Sequence, residues 1–373
     1  MGRAALEVSG EGPVFLCGPL AHGALQAAIF GRGIAGQPAR LDGHALTGAG
    51  PFAALSPEAG GSVEGVLVDL DGEAAARLDY HREVAGLVRL PVEVGGQSVQ
   101  AMAAGGPGAG PWCAAEWEAV WAPIVTATAV DVLALWPEVP AGAARARYRL
   151  MLVQGASRVR AAEPAPAEVR RRCGPGDIAI ERRRQVYANF FAVEEYDLAF
   201  RRFGGAMSPT VNRAVFISGD AVTVVPYDPT RDRVLLVEQF RPGPFGRGDR
   251  EPWLLEPIAG RIDPGETPEA TARREAVEEA GLTLGALEKV AGYYPTPAAK
   301  AEFLYSYVAL ADLPDGVEGV FGVEGEAEDI RGHLIPFDRL MDLVRTGEIC
   351  NGPLVLTALW LERERPRLRA ESR

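Results

Sequence analysis

Residues Gly260 to Leu282 constrain this chain more than any other stretch. Thr267 is a favourable helix N-cap, and Pro268 stands at the first helical position, where its missing N–H is not needed. Gly281 stands where a helix ends in the left-handed conformation that side chains disfavour. The segment therefore reads as a loop, a helix of about three and a half turns, and a second loop. Glu275, Glu278 and Glu279 fall at i, i+3 and i+4, on one helix face. Three carboxylates so placed repel one another unless positive charge sits among them, and Arg274 neutralises only part of theirs. A hard divalent cation fits the remainder, since Mg2+ takes one or two carboxylates together with phosphate oxygens of a substrate. For the charges alone, a solvated acidic face is the ordinary alternative.

The spacing favours the cation. The segment resembles the Nudix box, G-x5-E-x7-R-E-U-x-E-E-x-G-U with U a bulky apolar residue. Gly260, Glu266, Arg274, Glu275, Glu278, Glu279, Gly281 and Leu282 all match, and Ala276 is smaller than usual at the first U. With residue frequencies of roughly 5–10%, an accidental match is on the order of one in 100,000. The resemblance implies that Glu275 and Glu279 bind metal directly and that Glu278 is a further or outer ligand. It also implies that Glu266 and Arg274 brace the loop–helix–loop and that the carbonyl of Ala259 reaches the metal. The cofactor it implies is Mg2+, with Mn2+ as the alternative.

Nudix enzymes hydrolyse a nucleoside diphosphate linked to another moiety, and three features resemble the ADP-ribose pyrophosphatase subfamily. Trp253-Leu-Leu-Glu256-Pro-Ile-Ala-Gly260 is similar to that subfamily's approach to the box. Pro297 lies where the subfamily has Ser-Pro-Gly, although Thr296-Pro297-Ala298 lacks the glycine. A loop proline is the plain alternative there. Gly325-Glu326-Ala327-Glu328-Asp329-Ile330-Arg331 resembles the acidic loop that supplies the catalytic base. The resemblance implies Glu326 as first choice for base, with Glu324 and Glu328 within two residues of it, and Glu328 as first choice for an additional metal ligand; an acidic surface loop is the plain alternative. Glu238-Gln239-Phe240-Arg241 resembles a strand-end motif of the subfamily, which implies a phosphate contact for Arg241 and a second for Arg213. Guanidinium groups grip phosphate bidentately; a surface ion pair is the alternative for each. The resemblance covers about Ile178 to Arg363.

A second resemblance covers the first region. Phe15-Leu-Cys17-Gly18-Pro19-Leu20, Pro51 to Leu55, Val63 to Leu67 and Leu78-Asp79-Tyr80 are similar to the gamma-glutamylcyclotransferase-like (AIG2-like) family, a small β-barrel with helices. That family holds its substrate carboxylate on the backbone amides of a Tyr-Gly-Ser/Thr-Leu loop. Here Cys17 and Pro19 replace the tyrosine and the hydroxyl residue, and Pro19 removes an amide N–H. The family's catalytic glutamate follows Leu-Asp-x-Tyr; here that place holds Arg82, with Glu83 one residue late. The domain is therefore expected to be catalytically degenerate, a packing or dimerisation module. The combination resembles bacterial two-domain proteins labelled as tellurite-resistance ADP-ribose pyrophosphatases.

The length of 373 residues fits two domains. The expected layout is α+β: a cyclotransferase-like domain at 13–160, a linker at 161–176, and a Nudix α/β/α sandwich with a mixed sheet at 177–365. The linker is rich in Ala, Pro, Glu and Arg and lacks apolar periodicity. Helices are expected at 20–30, 73–80, 112–136 (broken at Pro123), 268–280, 337–345 and 353–363, and one long strand segment at 186–203. The formal charge of −12 argues against nucleic acid and anionic membrane as partners. Lysine occurs only as Lys289 and Lys300, so phosphate contacts fall to arginines. Four widely spaced cysteines without C-x-x-C suggest neither zinc nor disulfides. The apolar stretch 122–136, interrupted by Asp131, reads as too short to span a bilayer, and a cytoplasmic setting is expected. The resemblance implies Mg2+-dependent hydrolysis of ADP-ribose to AMP and ribose 5-phosphate by a homodimer paired through the Nudix domain. The alternatives are another nucleotide sugar such as GDP-mannose, or a non-catalytic nucleotide-sugar sensor or scaffold.

Overall fold

In the computed structural model, which describes residues 12–322 and 328–371, the chain divides into two units between Arg172 and Cys173. The first contains β1 (Val14–Cys17), α1 (Gly23–Phe30), β2 (Gly36–Thr47), β3 (Ala54–Val68), α2 (Gly72–Ala85), β4 (Leu87–Val94), β5 (Gln97–Ala104), α3 (Ala114–Ala134), α4 (Ala141–Arg145) and α5 (Tyr148–Ala161). Its strands form one mixed sheet in the order β2-β3-β1-β5-β4. Both edge strands carry a proline, Pro38 and Pro91, where a missing N–H costs least. Helices α1, α2, α3 and α5 bury Leu25, Ile29, Leu78, Trp117, Val125 and Leu152 in one core with Leu16, Val68 and Met102 of the sheet.

Two expectations for this unit change. Pro123 lies inside α3 without ending it, so no break occurs there. Helix α3 also starts at Ala114, well before 122, and by length and composition alone it is long and apolar enough to cross a membrane. It packs Val125, Ala129 and Val132 into the unit's cores instead, and its Asp131 accepts from Arg158 of α5.

The second unit contains β6 (Ile178–Ala188), β7 (Ala192–Phe200), β8 (Val211–Ile217), β9 (Ala221–Asp228), β10 (Arg233–Phe240), α6 (Pro242–Arg247), β11 (Trp253–Glu256), β12 (Ile258–Arg261), α7 (Pro268–Ala280), β13 (Leu287–Tyr293), β14 (Lys300–Ala301), β15 (Leu304–Leu310), β16 (Val320–Phe321), β17 (Ile330–Pro336), α8 (Phe337–Thr346) and α9 (Gly352–Glu371). The segment expected as one long strand at 186–203 is instead divided between β6 and β7. These form an antiparallel hairpin whose last pair is Ala188↔Ala192. With β8 and β14 they form a four-stranded sheet, on which Ile178, Ile180, Val186 and Tyr187 are exposed.

The main sheet is mixed, in the order β13-β15-β9-β10-β17-β16, with β15 parallel to β9. Side chains of β9 and β10 alternate between two cores. Val222, Val224, Leu235 and Val237 meet Ala272, Ala276 and Ala280 of α7. Val225, Tyr227, Val234 and Leu236 meet Leu340, Leu354 and Leu361 of α8 and α9. Helices therefore cover both faces, and the central strands are buried on each.

One irregularity builds the site. Strands β9 and β10 pair only near their shared turn, at Asp228↔Arg233 and Tyr227↔Val234. Beyond that they part, and residues 253–261 fill the fork. Trp253 to Glu256 pair with β10, and after Pro257 the chain switches partner, so that Ile258 to Arg261 pair with β9.

Candidate active site

Helix α7 lies across this fork. The Thr267 hydroxyl accepts from the Ala270 N–H at 3.2 Å, and Gly281 closes the helix at φ 62°. Thr271, Ala272, Ala276, Glu279 and Ala280 are its buried residues. The small side chains Ala272, Ala276 and Ala280, one turn apart, let the helix sit close to β12, which explains the undersized residue at 276. The approach is closest at Gly260. A Cβ there would lie 1.8 Å from Glu275 Oε1 and 1.9 Å from its Cδ. The Glu275 carboxylate thus occupies the place of a side chain at 260.

Glu279 is 3% exposed and accepts the Ala259 N–H on Oε2 at 3.1 Å. Arg274 holds the remaining acids. Its Nε donates to Glu266 Oε1 at 3.1 Å and its Nη1 to Glu275 Oε1 at 2.7 Å and Glu278 Oε2 at 2.9 Å, while Nη2 reaches Glu266 Oε2 at 3.1 Å and Arg261 O at 3.3 Å. The Thr271 hydroxyl donates to Glu266 Oε2 at 2.7 Å. Burial pushes the Glu266 carboxyl up, but Arg274 and Thr271 outweigh it and hold the group below the usual carboxylate range.

Glu275 and Glu279 behave oppositely. Burial pushes Glu275 up to about 7 against the pull of Arg274, with the charges of Glu278 and Glu328 adding to the rise. Burial likewise pushes Glu279 up to about 8, opposed by the Ala259 N–H and Arg241 and reinforced by Glu275 and Glu328. Glu275 shares the Arg274 guanidinium with Glu266 and Glu278, while Glu279 is met by the Ala259 N–H and the charge of Arg241. Such a pair is short of positive charge, and its hard oxygen donors suit a divalent cation. Among the described residues no three His, Cys, Asp or Glu side chains converge as a finished cage. The structure brings together Glu275 and Glu279, with Glu328 close enough for its charge to act on both.

Glu324 and Glu326 lie outside the described residues. Arg241 adjoins the acids, and its guanidinium is also tied to buried Glu256, with Nε donating at 2.7 Å and Nη2 at 2.6 Å from the same oxygen. Asn351 donates to the other Glu256 oxygen at 3.0 Å. Arg213 sits on β8, in the other sheet, exposed and donating to Asn212 O. Pro297 is exposed in the turn between β13 and β14. The structure does not bring Arg213 or Pro297 into the network around Arg274.

Residues 218–355 match the NUDIX domain family, and residues 14–104 match gamma-glutamyl cyclotransferase, AIG2-like. ADP-ribose pyrophosphatase of Escherichia coli (strain K12) is 36% identical to this chain over 198 residues, 94% of that protein and 53% of this chain. The chain belongs to the Nudix family. GDP-mannose pyrophosphatase of Salmonella paratyphi B is 34% identical over 176 residues, 89% of that protein and 47% of this chain. A crystal structure of an ADP compounds hydrolase is 22% identical, covers 52% of this chain and 98% of its own, and superposes with a TM-score of 0.40.

Three supports of this Nudix site were not singled out from sequence. Glu256 and Asn351 fix Arg241, and Thr271 fixes Glu266. Glu256 lies within the stretch that resembles the approach to the Nudix box, but its partner is set by the pairing of β10 with β11, which no local pattern announces. In the first unit the residues that depart from the cyclotransferase pattern make local contacts or face solvent. Arg82 Nε donates to Asp79 at 3.3 Å and its Nη1 to Leu87 O at 3.2 Å, while Glu83 is exposed. His81 is fully buried against Phe52, and burial pushes its imidazole down to about 4.

Proposed function

We propose that this Nudix chain hydrolyses the diphosphate of ADP-ribose to AMP and ribose 5-phosphate with Mg2+. The observation that carries the reading is the pair of buried carboxylates, Glu275 and Glu279, seated against Gly260 and Ala259. It stands within a match that spans nearly the whole of an ADP-ribose pyrophosphatase. Glu275 and Glu279 would hold the cation, with Glu328 adding charge and the Ala259 carbonyl a further oxygen. When bound, the cation polarises the diphosphate and lowers the pKa of its water. The protein supplies the rest. Arg274 keeps Glu266, Glu275 and Glu278 together despite their repulsion. Arg241, gripped from behind by Glu256, is pre-positioned to meet phosphate oxygens. The role of general base stays with Glu326 on resemblance alone. Cys17, Cys113, Cys173 and Cys350 are all free thiols, which supports a reducing, cytoplasmic setting.

The first unit is read as a catalytically inert cyclotransferase-like domain. Its sheet is read as curling towards a small barrel, and the support is the extra β3–β5 pair, Ala54↔Ala104.

A substrate panel on the full chain tests these readings. With Mg2+, ADP-ribose is expected to release AMP with the highest kcat/KM, and EDTA is expected to abolish release. A preference for GDP-mannose, the substrate named for the Salmonella relative, would overturn the choice of sugar. Binding of ADP-ribose without AMP release would make the domain a sensor. No 5-oxoproline is expected from a γ-glutamyl amine; its release would restore the first unit as an enzyme.

A further inference from the structure

We propose that the N-terminal unit carries a separate binding site for a small organic cation of the alkylated-ammonium class, walled by Trp112, Trp117 and Trp121 with Glu116 at its side. These residues line a cavity of about 250 Å3 together with Pro111 and Val120. Trp112 and Trp121 are partly exposed on this cavity and Trp117, 3% exposed, backs it; an indole face is the strongest side-chain partner for an organic cation.

The rings are held in place. Trp117 Nε1 donates to Pro51 O at 2.9 Å and Trp121 Nε1 to Ala49 O at 3.0 Å, so hydrogen bonds from the ring edges fix both indoles to one loop. Trp112 and Trp117 stand 6.3 Å apart, centroid to centroid, and tilted by 50°. The surrounding loops are laced together. Gly48 N donates to Gly110 O, Trp112 N to Leu46 O, and Gly108 N to Thr47 Oγ1. At Gly108 a Cβ would come within 2.5 Å of Gly48 N, so glycine is required for that approach. A wall ordered before the ligand arrives loses less entropy on binding.

The lining also selects charge. Its single charged side chain is Glu116, which attracts a cation and repels an anion. Cys113 also lines the cavity, and a methylated ammonium, being weakly hydrated, fits an aromatic wall beside a carboxylate.

Calorimetric titration of the full chain with choline is the test, with 3,3-dimethylbutan-1-ol as the uncharged analogue of the same shape. Choline is expected to bind saturably, and the alcohol at least about tenfold more weakly. Glu116→Gln, at an exposed position, should weaken choline several-fold with an unchanged melting temperature. Trp121→Leu should weaken it by about tenfold or more. Absence of saturable choline binding would overturn the site. Equal binding of the alcohol, or full retention of affinity in Glu116→Gln, would show an apolar cavity without charge selection and would overturn the ligand class. Because Glu116→Gln is at the surface, the outcome does not depend on whether Trp121→Leu folds.

Discussion

Glu279→Gln is expected to lose about a thousandfold in ADP-ribose turnover while remaining folded. The carboxylate is 3% exposed, so its charge is costly to hold there unless a cation shares the site. Gln has nearly the same shape, and its amide oxygen still accepts the Ala259 N–H. The substitution removes a charge that burial already disfavours, so the protein should melt at or above the temperature of the parent. Cation binding is another matter. Charge stabilisation by a bound metal is worth several kcal/mol in the transition state, and each 1.36 kcal/mol is a factor of ten in rate. A second readout separates lost metal from other damage. A ligand present at about a hundred times its Kd stabilises the native state by about 2.7 kcal/mol. Mg2+ should therefore raise the melting temperature of the parent and leave that of the variant almost unmoved. Near-normal AMP release from Glu279→Gln would sink the assignment of this carboxylate.

Gly260→Ala should be nearly as damaging, although it removes no functional group. The new methyl would lie 1.8 Å from Glu275 Oε1, with the Glu275 Cδ at 1.9 Å. Neither the sheet nor the helix can yield easily, because residue 260 is paired with Val222 of β9 and the helix is pressed on the sheet through alanines. Glu275 must swing away, and Arg274 loses one of its carboxylate partners. Overpacking of this kind costs about 1–3 kcal/mol in stability. Turnover should fall about a hundredfold, since a misplacement of about 1 Å at a reacting centre costs that much. Gly243→Ala is the control, because a Cβ at 243 meets nothing within 4 Å. A Gly260→Ala protein with the parent's stability and rate would show that Glu275 does not need its observed position.

The contrast between these residues shows what a sequence can reveal. Helix α7 was legible because its cap, its stop and its acidic face are all encoded within 23 neighbouring residues. The fork was not, because β11 and β12 are short and take their meaning from strands remote in sequence. The sequence reads the β6–β7 hairpin as one strand because its turn, Asn189-Phe190-Phe191, contains neither glycine nor proline and is nearly as apolar as its flanks. Strand β2 is hidden in the sequence for the opposite reason. As a largely exposed edge strand it carries Pro38, Asp42 and Gly43 and shows little alternation. Arg241 was found as a candidate from its motif, but its anchoring by Glu256 and Asn351 follows only from tertiary pairing.

The fork also has an implication for how such a protein can diversify. The excursion 242–252 leaves at Arg241 and returns at Trp253, and its two ends are stapled by the Arg241 N–H to Pro252 O bond and by the Phe240↔Trp253 pair. Whatever changes in length or composition between those staples is mechanically isolated from Gly260, which is held by a different strand on the far side of Pro257. Phe245, at 65% exposure, sits in this excursion and faces solvent. Surface segments of this kind tolerate insertion and drift. The architecture thus separates a fixed carboxylate seat from a surface excursion whose length and composition can change without rebuilding that seat.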